Sequence, residues 1–200
     1  EQSRQEGFSM TYPVTPEFQT INVTSRNFTR KSESLSGKIS VRANPSQRWE
    51  MTASYDRLTK SEVGIINAFI VSQGGEYGFF DLIPTEISSS RGSNPAGTAR
   101  VNGAHTAGDK TILIDGLLNS LLKGDFVTFA GHTKVYMLTE DRAGAGTMTI
   151  YPPLVANVPN DAIITYNNVT FKVRLNNSVQ SYEVSANNQY NVEVDFVEEI

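Results

Sequence analysis

No cysteine occurs in the 200 residues of this chain. That excludes disulfides, thiolate catalysis and cysteine-ligated zinc, and leaves the compartment open. Histidine is almost as scarce, with only His105 and His132. Neither belongs to an HExxH arrangement or has a neighbouring ligand at metal spacing, and both read as turn residues. Charged residues make up only 19% of the chain, for a formal net charge of -4. A duplex-binding surface needs clustered Lys and Arg. The Arg26, Arg30, Lys31 group is short and reads as a solvated strand face. No apolar run approaches the ~18 residues of a membrane span, so no membrane insertion is expected.

What is present is neutral and polar. Asn, Ser, Thr and Gly are abundant, and hydrophobic residues reach 38%, enough for a core. Surfaces of this kind repel copies of themselves weakly and suit close subunit packing. Residues 1–9 are rich in Gln, Glu, Ser and Arg and precede Met10. They read as a flexible extension, an expression remnant or a misplaced start; the apolar centre of a secretory signal is missing.

The periodicity is that of strands. Pro13 and Pro16 make residues 11–18 an extended tether. Trp49, Met51, Ala53 and Tyr55 alternate with Glu50, Thr52, Ser54 and Asp56, the clearest early strand. Residues 190–200 alternate just as regularly. The period changes once. Thr59-Lys60-Ser61-Glu62 is a capping box, with Leu58 and Val63 in staple positions. Val63, Ile66, Phe69, Ile70 and Gln73 recur at helical spacing, and Gly74 suits a left-handed residue just past the end. This predicts a helix over 60–73, followed by a strand over 76–84 in which Gly78 sits amid aromatics.

Residues 85–97 read as a linker. Beyond it, short strands at 111–114, 126–129, 134–139 and 147–151 are separated by Gly-Asp turns, the signature of a small barrel or sandwich. Longer alternating strands then return. Val169, Phe171, Val173 and Leu175 share a face, Asn176-Asn177 reads as a hairpin turn into a strand over 179–184, and Asn187-Asn188 turns into the last strand. The expected fold is mainly β: a β-sandwich or barrel-like frame with one packed helix, built from 10–86 and 165–200, plus an inserted small β-barrel-like domain over 95–164.

No motif for chemistry accompanies these strands. Asp109, Asp115, Asp125 and Asp141 lack the spacing of a calcium loop and read as turn caps. Ser34, Ser36 and the 88–90 serine run show no nucleophile elbow. Neither Gly74-Gly75 nor Gly144-Ala145-Gly146 is a phosphate loop. No catalytic, cofactor-binding or metal residue is assigned, and no enzyme activity is expected. Trp49, Tyr77, Phe79 and Phe80 are expected to face the helix stripe. Tyr136, Tyr151 and Tyr166 are candidates for exposed contacts of the insert.

Several segments together resemble a known family. They are Met10-Thr11-Tyr12-Pro13; residues 47–55, reading Gln-Arg-Trp-Glu-Met-Thr-Ala-Ser-Tyr; residues 58–62; residues 69–80, ending Gly-Gly-Glu-Tyr-Gly-Phe-Phe; residues 101–109; and residues 122–126. The chain resembles the tail proteins of tailed bacteriophages over 10–200, similar in layout to distal-tail, baseplate or tail-tip components. The resemblance implies a structural subunit of the virion without enzyme activity, assembled in the host cytoplasm. It implies a ring, usually a hexamer, continuous with the tail tube and touching other tube, hub or baseplate proteins. DNA would be only non-specific cargo passing through the lumen. Ring contacts are heterologous, and edge strands are the expected pairing elements. The candidate interface residues are Tyr12, Pro13, Phe18, Ile21 and Val23 on one side, with Val194, Phe196 and Ile200 on the other. A carbohydrate- or receptor-binding β-module and a tail-associated hydrolase are the alternatives.

Overall fold

The computed structural model describes residues 10–92, 98–118, 120–178, 182–184 and 189–200. The expected extension 1–9, part of the 85–97 linker and the Asn187-Asn188 turn lie outside the described residues. In chain order the elements are β1 (Met10–Thr11), β2 (Thr20–Glu33), β3 (Ile39–Leu58), α1 (Lys60–Ser72), β4 (Phe79–Leu82), β5 (Arg100–Val101), β6 (Thr111–Asp115), β7 (Ser120–Leu121) and β8 (Phe126–Phe129). They continue with β9 (Tyr136–Leu138), β10 (Arg142–Ala143), β11 (Gly146–Tyr151), β12 (Ile164–Thr165), β13 (Phe171–Leu175), β14 (Tyr182–Val184) and β15 (Tyr190–Glu198). The architecture is mainly β with one long helix and a nearly closed barrel-like sheet.

Two compact units result. The frame gathers residues 10–23, Glu50–Ile83 and Lys172–Glu199, and the barrel unit gathers Thr24–Trp49 and Pro84–Phe171. The seven-stranded sheet runs in the order β1-β4-β13-β15-β3-β2, with β14 paired to β15. In the frame, alternation puts Met51, Ala53 and Tyr55 of β3 inside together with Val192, Val194 and Phe196 of β15. Val63, Ile66 and Ile70 of α1 are buried as well. The capping box forms as the sequence predicts. Glu62 Oε2 accepts from the Thr59 N–H at 2.8 Å, and Thr59 Oγ1 accepts from the Glu62 N–H at 3.4 Å. Donation from the Thr59 N–H, and from the Thr59 hydroxyl at 2.8 Å, holds the Glu62 carboxyl below the usual carboxylate range. Gly74 adopts the left-handed conformation, with φ 65°.

The strand predicted over 76–84 starts later. Gly75–Tyr77 form a 3-10 turn, and the Gly78 N–H donates to the Gln73 carbonyl at 3.0 Å. A Cβ on Gly78 would lie 2.7 Å from that carbonyl oxygen. Glycine is needed there because backbone, rather than a neighbouring ring, fills the space.

The return from β13 also differs from the simple hairpin. Val173, Arg174 and Leu175 pair with Glu198, Val197 and Phe196 of β15, and β14 pairs with Val192, Asn191 and Tyr190 of the same strand. On its other side β15 pairs with β3 from Tyr190↔Leu58 to Val197↔Glu50. The last strand is therefore central to its sheet.

In the barrel unit, six strands run β12-β8-β9-β11-β6-β5. Backbone bonds from Val101 N–H to the Ala162 carbonyl (3.0 Å) and from Ile164 N–H to the Ala99 carbonyl (2.9 Å) bring the two end strands together. Side chains such as Ile112, Leu121, Val127, Phe129, Tyr136 and Ile150 fill the interior. A filled barrel of this size is a packed core with room for no channel.

Candidate interaction surface

The residues proposed for contacts divide sharply by burial. Tyr12 is 2% exposed. Its ring lies 5.2 Å from both Phe69 and Phe196, edge-on, and stacks near Phe80 and Phe18 at 5.8 and 5.9 Å. The Tyr55 hydroxyl donates to the Tyr12 hydroxyl at 3.1 Å. Just before it, β1 pairs in parallel with Phe80 and Asp81, and the Tyr12 N–H donates to the Asp81 carbonyl at 2.8 Å. The segment expected to reach a neighbour thus adds an edge strand and a core plug to its own frame. Proline supplies the extended backbone, and the buried area of an aromatic ring fixes the plug in place.

Val194 and Phe196 are fully buried, and their strand is paired on both sides, so neither is available as an edge contact. An alternating strand reads the same whether it lies at an edge or in the centre; only its partners decide. Pro13, Phe18, Ile21 and Val23 are half-buried, and Ile200 is exposed.

Burial also pushes the Tyr12 hydroxyl up to about 12, against a lowering contribution from the Tyr55 hydrogen bond. The phenol is neutral below both its folded and unfolded values, so its burial carries no ionisation cost there. Above the unfolded value of about 10 the unfolded chain releases this proton first, and stability falls as pH rises to about 12. The loss attributable to Tyr12 is expected to be about 2–3 kcal/mol over that window. Urea denaturation at both ends of the window measures it. Tyr12→Phe should show a correspondingly shallower alkaline decline, and an unchanged slope would refute the assignment.

The aromatics expected against the helix separate as well. Phe80 meets Phe69 of α1 edge-on at 5.0 Å. Phe79 carries Lys172 Nζ 4.7 Å from its ring centre and is 37% exposed, while Tyr77 is 89% exposed. Trp49 belongs to the barrel unit. It meets Phe126 edge-on at 5.2 Å, and its Nε1–H donates to the Val135 carbonyl at 2.9 Å. These partners belong to the barrel unit, where the long β3 strand delivers it.

Of the three tyrosines proposed as exposed, Tyr136 is completely buried and Tyr166 nearly so, which overturns their placement on the surface. Tyr151 remains partly exposed, and its hydroxyl donates to Asn27 Oδ1. Tyr136 is held inside by a relay. The Val155 N–H donates to its hydroxyl at 3.2 Å, and that hydroxyl lies 3.0 Å from His132 Nδ1. His132 Nε2 faces the Asn157 carbonyl at 3.3 Å. With a neutral imidazole, the hydroxyl donates to Nδ1 and Nε2–H donates to the carbonyl. His105 Nε2 accepts from the Leu113 N–H at 3.1 Å, so its proton sits on Nδ1, 3.4 Å from Asp109 Oδ2. Both histidines brace turns. Asp109 and Asp125 accept from backbone N–H groups three residues earlier, those of Thr106 and Leu122. Among the described residues, no group of three or more His, Cys, Asp or Glu side chains is arranged to hold a metal ion. No helix among them is long and apolar enough to cross a membrane.

The β2–β3 hairpin continues the strand that carries Ile21 and Val23. Every residue from Thr24 to Arg42 is exposed, so its strands have no buried face there. The Ser34 N–H donates to the Lys38 carbonyl at 2.9 Å, closing the turn. Leu35, Ile39 and Val41 are exposed, and Arg26 and Arg48 sit over the Phe28 ring at 5.6 and 5.4 Å. The β2 strand ends the sheet order. The clue in the sequence is that Phe28, Ile39 and Val41 stand in a stretch holding Arg26, Arg30, Lys31, Lys38 and Arg42 against the single acid Glu33.

No protein-family model matches this chain, and no curated protein is significantly similar to it.

Proposed function

We propose that this chain is a structural subunit of a bacteriophage tail tip or baseplate that closes with copies of itself into a ring continuous with the tail tube. The observation that carries the reading is the exposed β2–β3 hairpin at the end of a sheet whose other long strands are internally paired. A sheet edge with open N–H and C=O groups is a template for strand addition, and proteins normally cover it, blunt it or use it. Heterologous pairing of such an edge with another face of the next copy closes into a ring when the rotation permits. The segments that resemble tail proteins, the sparse charge and the frame with its single packed helix agree with that role.

Native mass spectrometry of the purified chain, with particle imaging, tests it. A discrete closed oligomer, six copies by the family resemblance, is the expected result. A chain that stays monomeric up to ~100 μM, far above the Kd of a stable interface, would end this reading.

A further inference from the structure

Charge is unevenly divided along the chain. Residues 24–49 hold six basic side chains against the single acid Glu33, a net +5. The frame stretches 10–23, 50–83 and 172–199 hold eleven acidic and four basic residues, a net -7. The basic set is presented openly. Arg30, Lys31, Lys38 and Arg42 are exposed and form no ion pair among the described residues. On the frame, Glu193 is exposed on β15, and Glu17 is exposed just before β2. Glu193 lies opposite Ser54, and Asp195 opposite Thr52, whose hydroxyl donates to Asp195 Oδ1 at 2.6 Å. Glu193 and Asp195 occupy the sheet face turned away from Val192, Val194 and Phe196.

The hairpin itself lacks a core. A two-stranded ribbon is marginal in water unless a third strand or a packed surface supplies one. Leu35, Ile39 and Val41 offer apolar area to such a surface. Acquiring it from an identical hairpin would bring +5 against +5. Acquiring it from an acidic surface brings opposite charges together, which speeds encounter and fixes orientation.

Resting on the ring reading above, we propose that the basic hairpin of one copy docks on the acidic outer sheet face of the next copy's frame, in a head-to-tail contact. Hairpin and sheet face are different surfaces of the same chain, so the contact is heterologous, as ring closure requires. The alternation of sign along the assembly also sets its direction and disfavours hairpin-to-hairpin dimers.

The test combines charge reversal with cross-linking. The variant Arg30→Glu/Lys31→Glu/Lys38→Glu/Arg42→Glu keeps the length and exposure of the hairpin and reverses its sign. Assembly is measured by native mass spectrometry and sedimentation beside the wild-type chain, with thermal unfolding as the check on folding. The expected result is at least a roughly tenfold weaker assembly with little change in unfolding temperature. Wild-type assembly should likewise weaken between ~50 and ~500 mM NaCl, as screened charge pairs do. In parallel, a carbodiimide links amines to carboxylates in a mixture of isotopically light and heavy wild-type chains. Mixed-isotope links from Lys31 or Lys38 to carboxylates within 10–23, 50–83 or 172–199 are expected. Links confined to one copy or to the neighbour's hairpin, or a reversed variant that assembles like the wild type, would overturn the docking while leaving the ring intact. A monomeric wild-type chain would remove the ring reading and the docking together.

Discussion

A chain stopped after Glu193 is expected to lose the cooperative unfolding of its frame altogether. The seven missing residues include Val194 and Phe196, both fully buried, and Val197, 6% exposed. Burial of three such side chains is worth about 6 kcal/mol, already comparable with the whole stability of a small domain. Phe196 also sits edge-on to Tyr12 and Phe80, at 5.2 and 6.0 Å, so its loss opens the middle of the aromatic cluster. The backbone loss is as severe. Val173, Arg174 and Leu175 lose their partners on one side, and Glu50 to Ala53 lose theirs on the other. An edge strand could be shortened with its neighbours left in water. A central strand leaves two rows of N–H and C=O groups facing an empty slot. Circular dichroism and thermal denaturation of the truncated chain give the answer. A sharp transition within ~5 °C of the full-length chain, less than about 1 kcal/mol of change for a domain of this size, would show that the frame does not depend on β15.

The second large effect is expected at Asp125, in the barrel unit. Its side chain is 1% exposed. One carboxylate oxygen accepts from the Arg91 backbone N–H at 3.2 Å and from Arg91 Nε at 3.0 Å, and the other accepts from the Leu122 N–H at 2.9 Å. The Asp125 carbonyl accepts in turn from the Leu138 N–H at 2.9 Å, which joins this turn to β9. Asp125→Ala leaves the Arg91 and Leu122 amides without acceptors. The guanidinium, 62% exposed, recovers water, so little of the cost comes from the ion pair itself. The expected loss is about 3 kcal/mol, carried mostly by the two stranded N–H groups. Asp125→Asn keeps one carbonyl oxygen and should lose about half as much. Amide hydrogen exchange at Ile112, Val127 and Ile150 reads the barrel separately from the frame. Equal losses for Ala and Asn would show that charge, rather than the count of acceptors, holds the turn.

Most of the local structure was legible in the sequence. Thr59, Glu62 and Gly74 marked both ends of the helix because capping depends on groups a few bonds apart. Phe126–Phe129 formed as a strand over the predicted residues, and the barrel unit followed the Gly-Asp turns. The contact residues were much less legible. Tyr12, Val194 and Phe196 have the same apolar alternation whether they face a neighbour or their own core. Tyr136 gives no sign in sequence that the Val155 amide and His132 will hold its hydroxyl inside the barrel. The hairpin was the reverse case. Its basic residues read as a solvated strand face, but exposure on both faces depends on what fails to pack against it.

The sequence by itself determined where most of the strands lie, and where the helix begins and ends. These rest on period, capping and composition, all of which act over a few residues. Only the tertiary structure decided that β15 lies between β13 and β3, that Trp49 meets Phe126 instead of the helix, and that the β2–β3 ribbon is left open. Strand order and burial are set by contacts between residues far apart in the chain, about 140 positions for Ala53 and Val194, and no local pattern encodes which partner a strand will take.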